Sequence, residues 1–136
     1  MTVGAPLTLF GLAQRGMSAQ LVRMNAAASN LANAGSIAGS EDATYRPIRA
    51  VFAEQMDAAS GLSAVGVQSV VRENASPVKR HSPDHPLADA EGNVWATPVD
   101  ENAEMVEMLD ASRQYQNLVE ALSTAKDLMV ETMRLK

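Results

Sequence analysis

The chain has 136 residues, a net charge of −5 and no cysteine. This length suits one domain, and without cysteine neither a disulfide nor a thiolate metal site can form. The acidic balance argues against binding to nucleic acid or to an anionic membrane surface, because both require a concentrated basic surface. No apolar run approaches the roughly 20 residues of a membrane-spanning helix. The first residues lack the basic and apolar segments of a secretion signal, so any export is expected to occur without a cleaved signal peptide.

A heptad of apolar residues predicts a helix between residue 7 and Asn33. The repeat advances by three or four residues at each step, which places its members on one stripe of a helix. Asn33 and Gly35 provide a stop signal, since glycine accepts the left-handed conformation that follows many helices. The stripe consists of Phe10, Ala13, Met17, Leu21, Met24, Ala28 and Leu31.

The segment from residue 37 to residue 98 differs in composition from the two helical segments and contains all but one of the prolines. Short alternating runs at Ile48–Phe52, Val65–Val71 and Val94–Ala96 predict strands. Strands this short form at most a small sheet, and residues 35–44 and 74–85 are expected to be loops.

The clearest element is a second helix over Glu101–Leu135, which contains neither glycine nor proline. Asp100 is suited to be its N-cap. At 1.5 Å per residue the helix is about 50 Å long, whereas a compact domain of this size has a radius of gyration near ~14 Å. We therefore expect its apolar stripe to pack against other chains, with Ala111, Leu118 and Leu128 on the opposite side. The stripe consists of Met105, Met108, Ser112, Tyr115, Val119, Leu122, Ala125, Met129 and Met133.

Two asparagines, Asn30 and Asn33, lie one helical turn apart among small residues. Asparagine is a poor helix former, and it favours caps and turns. Small neighbours let two backbones approach closely, so the amides are candidates for hydrogen bonds across an interface. A frayed helix end explains the same pattern, and the residues alone do not separate the two interpretations.

The only pattern that invites a metal or catalytic interpretation is His81 and His85. Pro83 and Pro86 oppose the helix that would place both imidazoles on one face, and a zinc site would require two further ligands. A solvated, proline-rich loop is the favoured interpretation. The sequence contains no nucleophile motif and no phosphate-binding loop, so we predict no enzyme activity, no cofactor, no metal and no small-molecule substrate.

Around the asparagines, the segment Ala28–Asn33 resembles the Ala-Ser-Asn-Leu-Ala-Asn motif of bacterial flagellar rod and hook proteins. Tyr45-Arg46-Pro47 and the stretch from Ala111 to Asn117 are similar to further motifs of the short proximal rod proteins within that family. His85 and Asn93 depart from the family pattern, which usually has Asn and Tyr there. The resemblance implies a subunit exported by the flagellar type III apparatus. It also implies that the terminal helices pack into a tube that carries torque and serves as an export channel.

Together these features predict a mainly α fold. Long N- and C-terminal helices would pack as a coiled-coil-like pair, beside a small β-containing middle region. Residues 1–36 and 99–136 would form the helical assembly core, and residues 37–98 a loop and short-strand region. The predicted partners are copies of the chain, other proximal and distal rod proteins, the adaptor to the export gate and MS ring, and the export apparatus. The alternatives are another axial protein of the same family, or a soluble coiled-coil adaptor or secretion chaperone.

Overall fold

The computed structural model describes residues 8–135, so residue 7, where the first apolar zone begins, and the last residue lie outside it. Within the described residues the chain forms two helices and five strands. In chain order these are α1 (Leu9–Ala32), β1 (Ile37–Ala38), β2 (Ile48–Met56), β3 (Ser63–Arg72), β4 (Val78–His81), β5 (Asn93–Ala96) and α2 (Glu101–Arg134). Neither helix is long and apolar enough to cross a membrane.

The prediction of a mainly α fold with a small β-containing region was wrong. The middle segment forms two antiparallel sheets, and β2 and β3 alone are nine and ten residues long. The alternating runs marked only part of each strand: β2 continues beyond Phe52 through the polar residues Glu54 and Gln55, and β3 already begins at Ser63, before the predicted run. The expected loop over residues 74–85 was also wrong in part, since β4 forms there and pairs with β5.

Helices α1 and α2 lie antiparallel and form the largest helical contact of the fold. Gly16 lies against Leu118, and Asn30 bonds to Glu104. Each α1 residue therefore faces the α2 residue whose number is about 134 minus its own. Since α1 begins at Leu9, its partner positions on α2 end at about residue 125. The last turns of α2 extend beyond the described end of α1.

The hairpin of β2 and β3 packs against α1, so that α1 contacts both α2 and the hairpin. The register runs from Ile48 opposite Arg72 to Met56 opposite Ser63, with an irregularity between Val51 and Phe52. Such a bulge bends a strand pair and increases its twist, which helps a two-stranded ribbon follow a helix.

The other sheet has the order β1–β5–β4. Its strand β1 follows α1 in the chain, and its central strand β5 precedes α2. Gly92, at φ +76°, makes the tight turn before β5, a conformation that glycine adopts without steric cost. Val94 and Ala96 of β5 are buried. The sheet thereby fixes the point from which α2 starts back along α1.

Both helix starts are capped. The Thr8 hydroxyl accepts a hydrogen bond from Gly11 N, and the Asp100 carboxylate accepts from Asn102 N and Ala103 N at 2.9 and 3.2 Å. The prediction of Asp100 as N-cap is confirmed. A side chain of this type satisfies amide groups that the first helical turn leaves without partners.

Candidate assembly site

Asn30 is the centre of a buried polar junction between α1, α2 and the hairpin. Its Nδ2 donates to Ile48 O at 3.0 Å and to Glu104 Oε2 at 3.1 Å. Its Oδ1 accepts from Ile48 N at 2.8 Å and from the Tyr45 hydroxyl at 2.9 Å. The side chain is 0% exposed, and all four of its hydrogen-bonding positions are used. The junction holds the first residue of β2 against the last turns of α1.

Glu104 brings a carboxylate into the same junction, and its residue is 1% exposed. Arg49 binds it through two parallel hydrogen bonds, from Nη1 at 2.8 Å and from Nη2 at 2.5 Å. The hydrogen bonds to Glu104 raise the pKa of the Arg49 guanidinium above its usual value. A buried carboxylate without a partner is costly, so this bidentate pairing is what makes the position tolerable. Arg49 also lies 3.5 Å from a carboxylate oxygen of Glu73.

A second set of charges joins the two helices two turns away. Arg23 of α1 pairs with Glu107, and its Nη2 lies 2.9 Å from Asp110 Oδ2. The hydrogen bond from Arg23 lowers the pKa of the Glu107 carboxyl. Both side chains remain partly exposed, so water screens the Glu107 carboxylate more than it screens the buried carboxylate of Glu104.

The asparagine pair of the sequence motif therefore has two different roles within one chain. Asn30 joins three elements, whereas Asn33 donates from Nδ2 to Ser29 O at 2.8 Å and ends the helix. The structure places the Asn30 amide in intramolecular bonds, which neither of the two sequence interpretations foresaw.

The predicted assembly residues occupy three environments, and no single surface contains them all. Asn30 is buried, while Met17, Met24, Leu31, Asn33, Met108, Ser112, Tyr115 and Leu122 are half-buried. The exposed members are Phe10, Leu21, Ala28, Met105, Val119, Met129 and Met133.

The face of α2 that packs against α1 differs from the predicted stripe. At several positions the packed residue is the one just before the predicted residue in the sequence. Ala111, expected on the opposite side, is fully buried, and Leu118 packs against Gly16. Met105 and Val119, expected on the packed stripe, are exposed. A period of 3.5 or 3.6 residues fits both faces almost equally well over a few turns, so the pattern alone did not separate them.

The two histidines do not face a common point. His81 is on β4, with Nδ1 3.4 Å from Asn93 Oδ1, whereas His85 Nδ1 accepts from Leu87 N at 3.1 Å in the following turn. Between residues 8 and 135 there is no group of three His, Cys, Asp or Glu side chains placed to hold a metal ion.

Known proteins share this sequence over almost its whole length. The chain is 43% identical to the flagellar basal-body rod protein FlgC of Salmonella typhimurium over 133 residues, covering 96% of this chain and 98% of the relative. The FlgC protein of Escherichia coli O6:H1 is 42% identical with the same coverage. That of Yersinia enterocolitica is 39% identical, covering 95% and 96%. In addition, the family described as flagellar basal body rod FlgEFG protein C-terminal matches residues 90–135, which are the region of β5 and α2.

The chain belongs to the FlgC family of flagellar basal-body rod proteins. It is a structural subunit of the flagellar basal body. The sequence-based assignment to the flagellar rod proteins is confirmed. Membership in this FlgC family also sets aside the alternatives of a different axial protein and of a soluble adaptor or chaperone.

Sequence analysis missed most of the polar junction of this FlgC-family chain. Glu104 was not among the predicted assembly residues, and Arg49 lay within the alternating run Ile48–Phe52 without a predicted role of its own. One signal was present: Tyr45, which belongs to a family motif, donates its hydroxyl to Asn30 of another motif. The motifs that contain Asn30 and Tyr45 are separated by a loop, which makes them candidates for direct contact. Neither motif indicated that the carboxylate of Glu104 also bonds to Asn30.

Proposed function

We propose that this rod subunit belongs to the proximal rod and polymerises through its terminal helices into the drive-shaft tube of the flagellum. Residues 1–36 and 99–136 would form the inner helical assembly core, and residues 37–98 an outer region that contacts neighbouring subunits. The observation that supports this most is the end of α2, where Leu128, Met129 and Met133 are 59%, 55% and 70% exposed. Large exposed apolar side chains grouped at the end of a long helix are typical of a surface that another chain covers.

The mechanism is mechanical. Each subunit offers a stiff unit in which α1 contacts both α2 and the hairpin, while one set of ion pairs joins α1 to α2 and another joins the hairpin to α2. Repeating weak apolar contacts between such units in every copy would sum to a stiff tube that transmits torque, with a central channel for exported proteins. The exposed predicted residues, Phe10, Leu21, Val119, Met129 and Met133, are the ones proposed to face neighbouring subunits.

The proposed partners are copies of this chain, other proximal and distal rod proteins, and the adaptor that links the rod to the export gate and the MS ring. The chain would leave the cytoplasm through the flagellar type III apparatus without a cleaved signal peptide. The proposal includes no catalytic activity, no cofactor, no nucleic acid and no small-molecule substrate. The resemblance of Tyr45-Arg46-Pro47 and of the stretch from Ala111 to Asn117 to motifs of the short proximal rod proteins supports the choice of the proximal segment.

The test compares two variants in a strain that lacks the chromosomal copy. In Met129→Glu/Met133→Glu both changed side chains are exposed, so the purified chain should keep its helical content and unfolding midpoint. Burying two unpaired carboxylates in each subunit contact should nevertheless abolish incorporation into basal bodies and swimming. Gln116→Glu adds a charge on the exposed side of α2 without removing an apolar group, and it should incorporate normally. Normal swimming of the double variant would show that the end of α2 contacts no subunit.

A further inference from the structure

The end of α2 carries two exposed methionines four residues apart. Met129 and Met133 are 55% and 70% exposed, and a spacing of four residues places them on the same face of the helix. Together with Leu128 and Thr132 they line an open depression of about 310 Å³. The Thr132 hydroxyl donates to the Leu128 carbonyl oxygen at 2.7 Å, so it is already used within its own helix. The two thioether groups therefore lie in an apolar surface that is open to solvent.

The other methionines between residues 8 and 135 are covered to different degrees. Three of them are half-buried, namely Met17, Met24 and Met108. Met56, the last residue of β2, is 74% exposed, and Met105 near the start of α2 is 47% exposed. An oxidant must reach the sulfur atom to react with it, so the reaction should follow exposure. In the free chain, Met56 and the pair on α2 are thus the thioethers that a small oxidant reaches most readily.

We propose that Met129 and Met133 are oxidation sites that control whether a subunit enters the rod. The sulfur lone pair of the thioether forms a bond to one oxygen of hydrogen peroxide, the O–O bond breaks, and the second oxygen leaves as water. The sulfur is oxidised to a sulfoxide and the peroxide is reduced, so no further reactant is needed. The inference rests on the proposed function, in which a neighbouring subunit covers this end of α2.

Oxidation changes the surface that would enter the contact. A sulfoxide is polar, and oxidation of both methionines adds two such groups to each subunit. The one hydroxyl among the residues that line the depression, that of Thr132, already donates to Leu128. A polar group that is buried without a partner opposes association. Oxidised subunits are therefore rejected as the rod forms, while incorporated subunits are shielded from the oxidant by their neighbours.

Competition between two forms of the chain in one cell tests the inference, because general damage by peroxide affects both forms equally. The cells express the unchanged chain and Met129→Leu/Met133→Leu with different tags. Leucine keeps the size and apolar character of methionine but has no sulfur to oxidise. Without peroxide, both forms should enter basal bodies in proportion to their expression. After a peroxide pulse that oxidises most of the free copies, the share of the unchanged chain should fall about fivefold or more.

Met56 provides the matched control, because it is as exposed as the α2 pair but lies on the hairpin. Met56→Leu in competition with the unchanged chain should gain nothing from the peroxide pulse, since both forms keep Met129 and Met133. Peptide mass spectrometry of the unchanged chain adds a second measurement. It should find sulfoxide at Met56 in free and incorporated copies alike, but sulfoxide at Met129 and Met133 in the free copies alone.

The outcomes separate this inference from the proposed function. Equal sulfoxide fractions at Met129 and Met133 in free and incorporated copies would overturn the inference while the rod function stands. An equal gain of Met56→Leu and Met129→Leu/Met133→Leu after the pulse would overturn it as well. If the double leucine variant fails to incorporate even without peroxide, the sulfoxide fractions of the unchanged chain decide the question. Absence of the unchanged chain from basal bodies under every condition would instead reject the proposed function.

Discussion

Asn30 and Glu104, 74 positions apart in the sequence, hydrogen-bond to each other inside the protein, with Asn30 Nδ2 donating to Glu104 Oε2 at 3.1 Å. The bond links the last turns of α1 to the first turn of α2, and Arg49 of the hairpin completes it from a third element. Polar groups buried in this way specify one arrangement, since any shift of register leaves one of them without a partner. The junction therefore sets how far α2 is displaced along α1.

Removal of the Asn30 amide should be costly. Asn30→Ala leaves the backbone groups of Ile48 and the Tyr45 hydroxyl without their buried partner, so we expect a loss of unfolding free energy on the order of 3 kcal/mol. Asn30→Asp keeps the shape but places a second carboxylate beside Glu104, and it should be at least as damaging. Denaturant unfolding of the purified chain measures both.

The matched control for this prediction is Asn25→Ala. Asn25 is on the same helix but exposed, and its replacement should change the unfolding free energy by no more than about 0.5 kcal/mol. Equal stability of Asn30→Ala and Asn25→Ala would mean that the junction contributes nothing to the folded chain.

Stability should fall in acid partly because of Glu107. Arg23 lowers the pKa of Glu107 in the folded state, so the folded chain holds this carboxylate ionised more firmly than the unfolded chain does. The resulting stabilisation is present above the ordinary pKa of about 4.3 and disappears as the pH drops through the lowered folded value. Glu107→Gln should therefore flatten the dependence of unfolding free energy on pH below about 4.3.

At neutral pH the same variant should lose only about 0.2–1 kcal/mol, because the pair is partly exposed. Glu120→Gln, on the exposed side of α2, is the control for the general effect of removing one charge. Parallel acid profiles for Glu107→Gln and the unchanged chain would contradict this assignment.

Sequence patterns predicted the helices and the cap of α2 because these depend on neighbouring residues. Glu101–Arg134 contains no helix breaker, and Asp100 acts within its own turn. The hairpin and the polar junction depend on pairing between distant residues, which no local pattern contains. Gln55 lies beyond the predicted run Ile48–Phe52, yet it is held by Ala64 of the opposite strand and lies beside α1.

The sequence predicted that an apolar face of α2 packs against another element, but it did not predict which residues form that face. The apolar stripe on α2 indicated a packing helix, but Ala111 and Leu118 face α1 whereas Met105 and Val119 do not. Which of the neighbouring faces of α2 packs against α1 depends on Gly16, because its lack of a side chain lets Leu118 approach. This contact joins distant parts of the chain, so a local sequence pattern does not contain it.

A large side chain at Gly16 should separate the helices. A Cβ at this position would lie 3.1 Å from Leu118 Cδ1, so even alanine requires a small shift of the leucine. Gly16→Leu adds three further carbons to a filled seam and should reduce the unfolding free energy by about 1–3 kcal/mol. Gly16→Ala should have a much smaller net effect, because its higher helix propensity, worth about 1 kcal/mol, offsets the close contact.

Rescue identifies the cause of the Gly16→Leu effect. Leu118→Ala alone removes apolar contacts and should also be destabilising. Combined with Gly16→Leu it provides space for the new side chain, so the double variant should be more stable than the sum of the two single losses predicts. Simple additivity of the two changes would show that positions 16 and 118 are not packed together.

The two histidines should be dispensable for assembly. Within residues 8–135 their side-chain bonds are weak or local, His81 to Asn93 at 3.4 Å and His85 to the amide of Leu87, and β4 is held by its backbone pairing with β5. His81→Ala/His85→Ala should therefore cost less than about 1 kcal/mol of unfolding free energy, and the strain should build basal bodies and swim.

Asp89→Ala is the informative comparison for the double histidine variant. The Asp89 carboxylate accepts from the amides of Glu91 and Asn93 at 3.1 and 2.7 Å and so shapes the turn before β5, which should make its loss the more destabilising of the two changes. Stoichiometric zinc in the purified chain, lost together with swimming in the double histidine variant, would contradict the structural interpretation. Loss of swimming without metal would instead identify His85, which stands where the family pattern has Asn, as a contact with a neighbouring subunit.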